Sequence, residues 1–66
     1  MDFTLVWAVF NKDFSIKNCG RDACIKLINH LNKLYPDIYF GNISTGFLNI
    51  DCIKKVVMEE LSTKCD

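Results

Sequence analysis

The chain begins with an apolar run, FTLVWAVF, at residues 3–10. Its residues are mostly β-branched or aromatic, which is typical of β-strands. Strand alternation divides the run into two largely apolar faces, one with Phe3, Leu5, Trp7 and Val9 and the other with Thr4, Val6, Ala8 and Phe10. A strand that is apolar on both faces is expected inside a sheet. We therefore predict a first, inner strand over these residues.

A polar turn, NKD at residues 11–13, separates this run from a second short strand. In that strand Phe14 and Ile16 alternate with Ser15 and Lys17, which indicates one half-exposed face. Two such strands joined by a short polar turn are expected to form a β-hairpin.

The next apolar positions have the spacing of an amphipathic helix. Asn18 or Gly20 can cap its start, and Asp22 lies in the first turn, where the positive end of the helix dipole favours an acid. Pro36 disfavours helical geometry at the residue before it and is expected to end the helix. The apolar stripe consists of Cys24, Leu27, Ile28, Leu31, Leu34 and Tyr35.

The second half of the chain repeats this order of elements. Residues 38–43 are predicted to form a third strand, STG at 44–46 a turn, and residues 47–50 a short fourth strand. Asp51 is then a suitable N-cap for a second helix at about residues 52–63. The apolar face of that helix consists of Ile53, Val56, Val57 and Leu61.

The resulting order, ββαββα, predicts a single small α+β domain over residues 1–66. A right-handed crossover gives a four-stranded, mainly antiparallel sheet of order 2-1-3-4, with both helices on one face. The other face would be uncovered and apolar, since strand 1 offers it either of its two apolar sets. A partner protein or a second copy would cover that face, unless strand 1 bends or terminal residues fold over it. The set that we assign to this partner-binding face is Val6, Ala8 and Phe10.

Composition supports a binding role and argues against nucleic acid. Half of the 66 residues are apolar, which is more than so small a domain can easily bury. The formal net charge is zero and no segment forms a basic block, whereas nucleic-acid binders usually carry a basic footprint. A nucleic-acid-binding module that uses the open sheet face remains one alternative.

The four cysteines, Cys19, Cys24, Cys52 and Cys65, define a second alternative. Their spacings, C-x4-C and C-x12-C, lack the tight C-x2-C knuckle of common zinc modules. Four cysteines allow three disulfide pairings, and the sequence does not choose among them. No secretory leader is evident, so we expect a cytoplasmic protein with reduced thiols. A cysteine-based zinc or redox module stays open, but we assign no metal and no cofactor.

Catalytic motifs are missing from the sequence. The single histidine, His30, lies at the edge of the stripe of the first helix, and there is no nucleophile elbow, phosphate-binding glycine loop or H-E-x-x-H motif. We therefore expect no enzymatic activity.

Three polar or aromatic residues complete the candidate partner-binding set. Arg21 is the only arginine, and Arg with Tyr is enriched at binding hot spots, which adds Tyr39. Glu60 lies within the apolar face of the second helix, as expected of a charge at the rim of an interface. The alternatives are that Arg21 is solvated and that the stripe has run into solvent at Glu60.

The sequence thus predicts a small, non-enzymatic, cytoplasmic domain that binds another protein as an inhibitor or adaptor, with a homodimer as a further possibility. Its bias toward Asn, Ile and Lys is typical of AT-rich coding sequence. Such sequences are common in viruses and in low-GC bacteria, and a viral or phage protein that modulates a host protein fits this size and composition.

Overall fold

The computed structural model describes residues 1–64, which form three helices and one two-stranded antiparallel sheet. This overturns the predicted four-stranded sheet with two helices, because the described residues follow the order ααββα. Within them no helix has the length and apolar character needed to cross a membrane. The elements are α1 (Phe3–Val9), α2 (Arg21–Leu34), β1 (Gly41–Asn42), β2 (Phe47–Leu48) and α3 (Ile50–Lys64).

The apolar run predicted as an inner strand folds as α1. Asp2 caps this helix, because its carboxylate accepts the backbone N–H of Thr4 at 3.0 Å. Val6, Val9 and Phe10 are fully buried, and their i, i+3, i+4 spacing places them on one side of a helix. The strand prediction was wrong because a segment that is apolar all round satisfies both the strand and the helix period. In the structure this helix packs against α2.

The predicted first hairpin is reduced to one isolated antiparallel bridge between Phe10 and Ile16. The polar turn does form, since the backbone N–H of Asn11 donates to the Ser15 carbonyl at 2.9 Å. Phe14 adopts a left-handed backbone with φ of 64°, and its ring lies 5.8 Å from that of Trp7 and 6.0 Å from that of Phe10. Residues 14–17 therefore form a loop that covers α1 rather than a strand.

The first predicted helix is confirmed as α2. Gly20 occupies the N-cap, and Tyr35, before Pro36, occupies the C-cap. The middle of the predicted stripe is fully buried, while Leu34 at its end is 45% exposed. The fully buried residues of this helix are Leu27, Ile28 and Leu31.

The second half of the chain follows the prediction more closely. The predicted third and fourth strands shrink to the two residues each of β1 and β2, in which Gly41 pairs with Leu48 and Asn42 with Phe47. Gly46 takes the expected left-handed turn position with φ of 76°. The second predicted helix is present as α3, but it begins at Ile50, so Asp51 lies in its first turn rather than at its cap.

One core joins all of these elements. It takes apolar residues from each helix, from the segment before β1 and from β2, so each element covers part of the others. Its buried members are Val6, Val9, Phe10, Leu27, Ile28, Leu31, Phe40, Leu48, Ile53, Val56 and Val57.

Candidate functional site

The most exposed aromatic side chains of the described residues lie on and beside the β1–β2 hairpin. Phe47 is 58% exposed and Tyr39 57%, and Ile43 in the turn is 41% exposed. We refer to these three side chains as the hairpin surface. Other large apolar side chains that are exposed lie on other parts of the fold, namely Ile16, Leu34 and Met58.

The register of the hairpin turns Phe47 outward. Gly41 and Leu48, which are paired, face the core, while Asn42 and Phe47 form the outward pair. Gly41 is required here, because a Cβ at this position would lie 2.1 Å from the Phe47 carbonyl oxygen and 3.0 Å from Cδ1 of Ile28. This close approach holds the hairpin against α2.

Local hydrogen bonds fix the turn that carries Ile43. The Asn42 side-chain oxygen accepts the Ser44 N–H at 2.9 Å, and the Asn42 carbonyl accepts the Gly46 N–H at 2.8 Å. The Thr45 hydroxyl accepts the Phe47 N–H at 3.3 Å. The turn is therefore held in one conformation by its own side chains.

Two further contacts fix the hairpin, one from α2 and one between the residues that flank its two strands. The Arg21 guanidinium donates to the Ser44 carbonyl, and the aliphatic part of the same side chain lies beside Gly46. The Asn49 side-chain amide donates to the Tyr39 carbonyl at 3.1 Å. The backbone that carries the hairpin surface is therefore held by α2 and by the residues that flank the two strands.

The structure separates the six residues predicted to bind a partner. Val6 and Phe10 are buried in the core with 0% exposure, because α1 is a helix and the uncovered sheet face is not formed by residues 1–64. Ala8 is exposed, but on α1. Only Arg21 and Tyr39 lie at the hairpin.

Glu60 has a partner within the chain. Its carboxylate accepts the Tyr35 hydroxyl at 2.5 Å, which joins α3 to the C-cap of α2. That hydrogen bond raises the pKa of the Tyr35 phenol, and partial burial and the charges of Glu60 and Glu59 raise it further. This contact explains why an acid occupies the apolar face of α3.

Phe47 and Ile43 were not among the predicted binding residues, because the uncovered apolar face was predicted on strand 1. The sequence does contain one sign of an exposed aromatic residue, because the turn STG at 44–46 is followed directly by Phe47. The outward direction of the Phe47 side chain depends on the register of the hairpin, in which the Gly41–Leu48 pair faces the core.

The titratable residues give no metal centre within residues 1–64, where no three of His, Cys, Asp and Glu are grouped as ligands. His30 Nε2 accepts the backbone N–H of Asp2 at 3.0 Å, so its lone pair is used in joining α2 to the start of α1. Cys19, Cys24 and Cys52 are free thiols, and Cys65 lies outside the described residues. The Sγ atoms of Cys19 and Cys24 are 4.0 Å apart.

The cysteine of α3 borders a separate depression. Cys52 lies on the wall of an open hollow of about 310 Å³ beside α3, together with Ile38, Lys55, Val56 and Glu59. No histidine is among these lining residues, so they offer Cys52 no imidazole base.

Comparison with family models, with curated proteins and with solved structures gives no match, so a function for this chain is argued from its own geometry.

Proposed function

We propose that this chain is a small non-enzymatic domain that binds another protein through the hairpin surface, and so acts as an inhibitor or adaptor in the cytoplasm. The observation that carries the proposal is the 58% exposure of Phe47 on a hairpin whose backbone is fixed. Burying a phenylalanine side chain fully is worth roughly 1.5–3 kcal/mol. Because Phe47 is 58% exposed, roughly half of this gain is left for a partner to supply.

The composition and rigidity of the hairpin surface support this proposal. Aromatic residues are enriched among the few side chains that dominate binding energies. A turn held by Asn42, Thr45 and Arg21 loses little conformational entropy when a partner binds it, because it is already ordered before binding. Phe47 and Tyr39 are therefore the side chains that we expect to contribute most.

The shape of the hairpin surface favours a different protein over a second copy. A standard interface takes about 800 Å² from each partner, and three side chains on a narrow hairpin provide much less than that. Two such hairpins facing each other would bury too little area for a stable dimer. A partner with an apolar pocket can enclose Phe47 and contact the surrounding loop and Arg21 as well.

A comparison of two matched variants tests this proposal. Phe47→Ser removes the anchor, while Met58→Ser removes an apolar side chain of similar exposure, 51%, from α3. Each immobilised protein captures ligands from extracts of the source organism and of its host cells, and quantitative mass spectrometry compares the captured proteins. We expect a protein bound by the wild type and by Met58→Ser, with at least about tenfold less bound by Phe47→Ser, which corresponds to 1.4 kcal/mol. Equal capture by both variants would contradict the proposal.

Two controls make the result specific. Urea unfolding of both variants establishes that each is folded, which is expected because both side chains are on the surface. Sedimentation velocity over a range of concentrations tests self-association. A dimer that Phe47→Ser abolishes would show that the hairpin surface binds a second copy, and the proposal of a different protein would then be wrong.

A further inference from the structure

Cys19 and Cys24 lie on either side of the point where α2 begins. With Gly20 as the N-cap, Cys19 precedes the cap and Cys24 is the fourth helical residue. These two positions face each other at helix starts, where apolar side chains commonly pack as a hydrophobic staple. Here two thiols take that place, with their Sγ atoms 4.0 Å apart.

We propose that Cys19 and Cys24 are a thiol–disulfide pair, which closes into an intrachain disulfide by exchange with a small-molecule disulfide such as oxidised glutathione. Bonded sulfur atoms lie about 2.05 Å apart, so the two side chains need to approach by about 2 Å. Both thiols are free and only half-buried, which leaves them accessible to a small reagent.

The exchange takes place in two balanced steps. The Cys19 thiolate attacks one sulfur of the small disulfide, which forms a mixed disulfide on Cys19 and releases one thiolate. Cys24 then loses its proton and attacks Sγ of Cys19, which forms the intrachain bond and releases the second thiol. The protein is oxidised by two electrons, and the small disulfide is reduced to two thiols.

The surroundings of the two thiols decide their order of reaction. Burial raises the pKa of the Cys24 thiol, and its hydrogen bond and charge interaction with Cys19 raise it further. Cys24 also lies within α2, whereas Cys19 precedes the N-cap, so we assign the first attack to Cys19. Cys24 is the resolving thiol.

The disulfide would stabilise the start of α2. It closes a short loop that contains Gly20, which has no side chain with which to cap the helix, and Arg21, which contacts the hairpin. Closing the loop restricts the unfolded chain more than the folded one, where the sulfur atoms are already neighbours. By linkage, the folded chain should then form the disulfide more readily than the unfolded chain.

Peptide mapping of the full chain in glutathione redox buffers tests the proposal. Trypsin cleaves between the two cysteines, after Arg21, so the disulfide appears as peptide 18–21 joined to peptide 22–26. We expect this joined pair to form in native buffer at a glutathione ratio at least about tenfold more reducing than in strong urea. The oxidised protein should also melt at least about 5 °C higher than the reduced protein.

Serine variants test the order of attack. Cys24→Ser should accumulate glutathione on Cys19, while Cys19→Ser should accumulate it on position 24 more slowly. Cys52→Ser is the control and should form the joined peptide like the wild type. The proposal is overturned if the joined peptide does not form, forms no more readily in native buffer than in urea, or is replaced by linkages to Cys52 or Cys65. None of these readouts requires a binding partner, so this proposal and the proposed function fail separately.

Discussion

Phe14 is the one non-glycine residue with a positive φ among residues 1–64, and it illustrates how packing can outweigh local preference. A left-handed backbone costs an L-residue about 1–2 kcal/mol. The ring contacts of Phe14 with Trp7 and Phe10 offset that cost, because they cover the outer side of α1. Removing the ring should therefore expose the backbone strain.

We predict that Phe14→Gly is more stable than Phe14→Ala, by about 1 kcal/mol in the free energy of unfolding measured with urea. Both variants lose the ring, but only glycine relieves the strain at a φ of 64°. At ordinary positions the order is reversed, because glycine gains more entropy on unfolding. The same pair at Asn18, whose φ is not positive, is the control and should favour alanine. An alanine variant that is the more stable one at position 14 would contradict the described backbone.

Predictions for single residues succeeded where the residue type has a backbone preference that local sterics determine. Pro36 as a helix end and Gly46 as a left-handed turn residue follow from local sterics alone, and both are confirmed. For the cap the sequence offered Asn18 or Gly20, and Gly20 occupies it. The requirement for Gly41 could not be predicted in this way. It arises mainly from the Phe47 carbonyl oxygen across the hairpin, 2.1 Å from where a Cβ would lie, and further from Cδ1 of Ile28, thirteen residues earlier in the chain.

At the scale of elements, the hydrogen bond from Tyr35 to Glu60 joins the end of α2 to α3. A hydrogen bond to a charged group contributes about 1.5–3 kcal/mol, less where solvent reaches it. We predict a coupling free energy of about 1 kcal/mol in a double-mutant cycle of Tyr35→Phe and Glu60→Ala, measured by urea unfolding. The matched cycle with Glu59→Ala at neutral pH, where the phenol is uncharged, should give a coupling close to zero, since the Tyr35 hydroxyl donates to Glu60. Equal coupling in the two cycles would show that the contact contributes no specific stability.

The same pair makes stability depend on pH on the alkaline side. The pKa of the Tyr35 phenol is raised above its ordinary value of 10.0, so the unfolded chain ionises this group first. The stabilising contribution is therefore complete below pH 10.0 and is lost as pH rises through the folded-state pKa. The Tyr35→Phe variant should lack this part of the fall in stability at alkaline pH. Urea midpoints of the variant and the wild type, measured from below pH 10.0 to above it, would detect the difference.

The helices differ in how far they could be predicted. α2 and α3 each carry one apolar stripe between polar residues, so their period is unambiguous, and both were predicted within two residues of the observed bounds. The first apolar run has no polar stripe to define its period, and its β-branched and aromatic residues favour a strand locally. The one local signal for a helix was Asp2, a suitable N-cap directly before the run.

At the scale of the whole molecule, the α1 assignment decides which residues can be functional. In a strand, Val6, Ala8 and Phe10 would share an exposed face, whereas in a helix Val6 and Phe10 enter the core. An isolated seven-residue helix of this composition would not persist in water, because helix nucleation is costly. Packing on α2, together with the bond from the Asp2 N–H to His30, must therefore supply its stability.

The cap at Asp2 gives this assignment a direct test. In α1 the Asp2 carboxylate accepts the Thr4 N–H, and replacing an N-cap with alanine costs about 1 kcal/mol. We predict that Asp2→Ala lowers the free energy of unfolding by about that amount, while Asp2→Asn, which keeps the acceptor, loses less than half of it. The bond from the Asp2 backbone N–H to His30 is the same in both variants, so their difference reports on the cap alone. If residues 3–10 formed a strand, no cap would exist and the two variants would unfold at the same urea concentration.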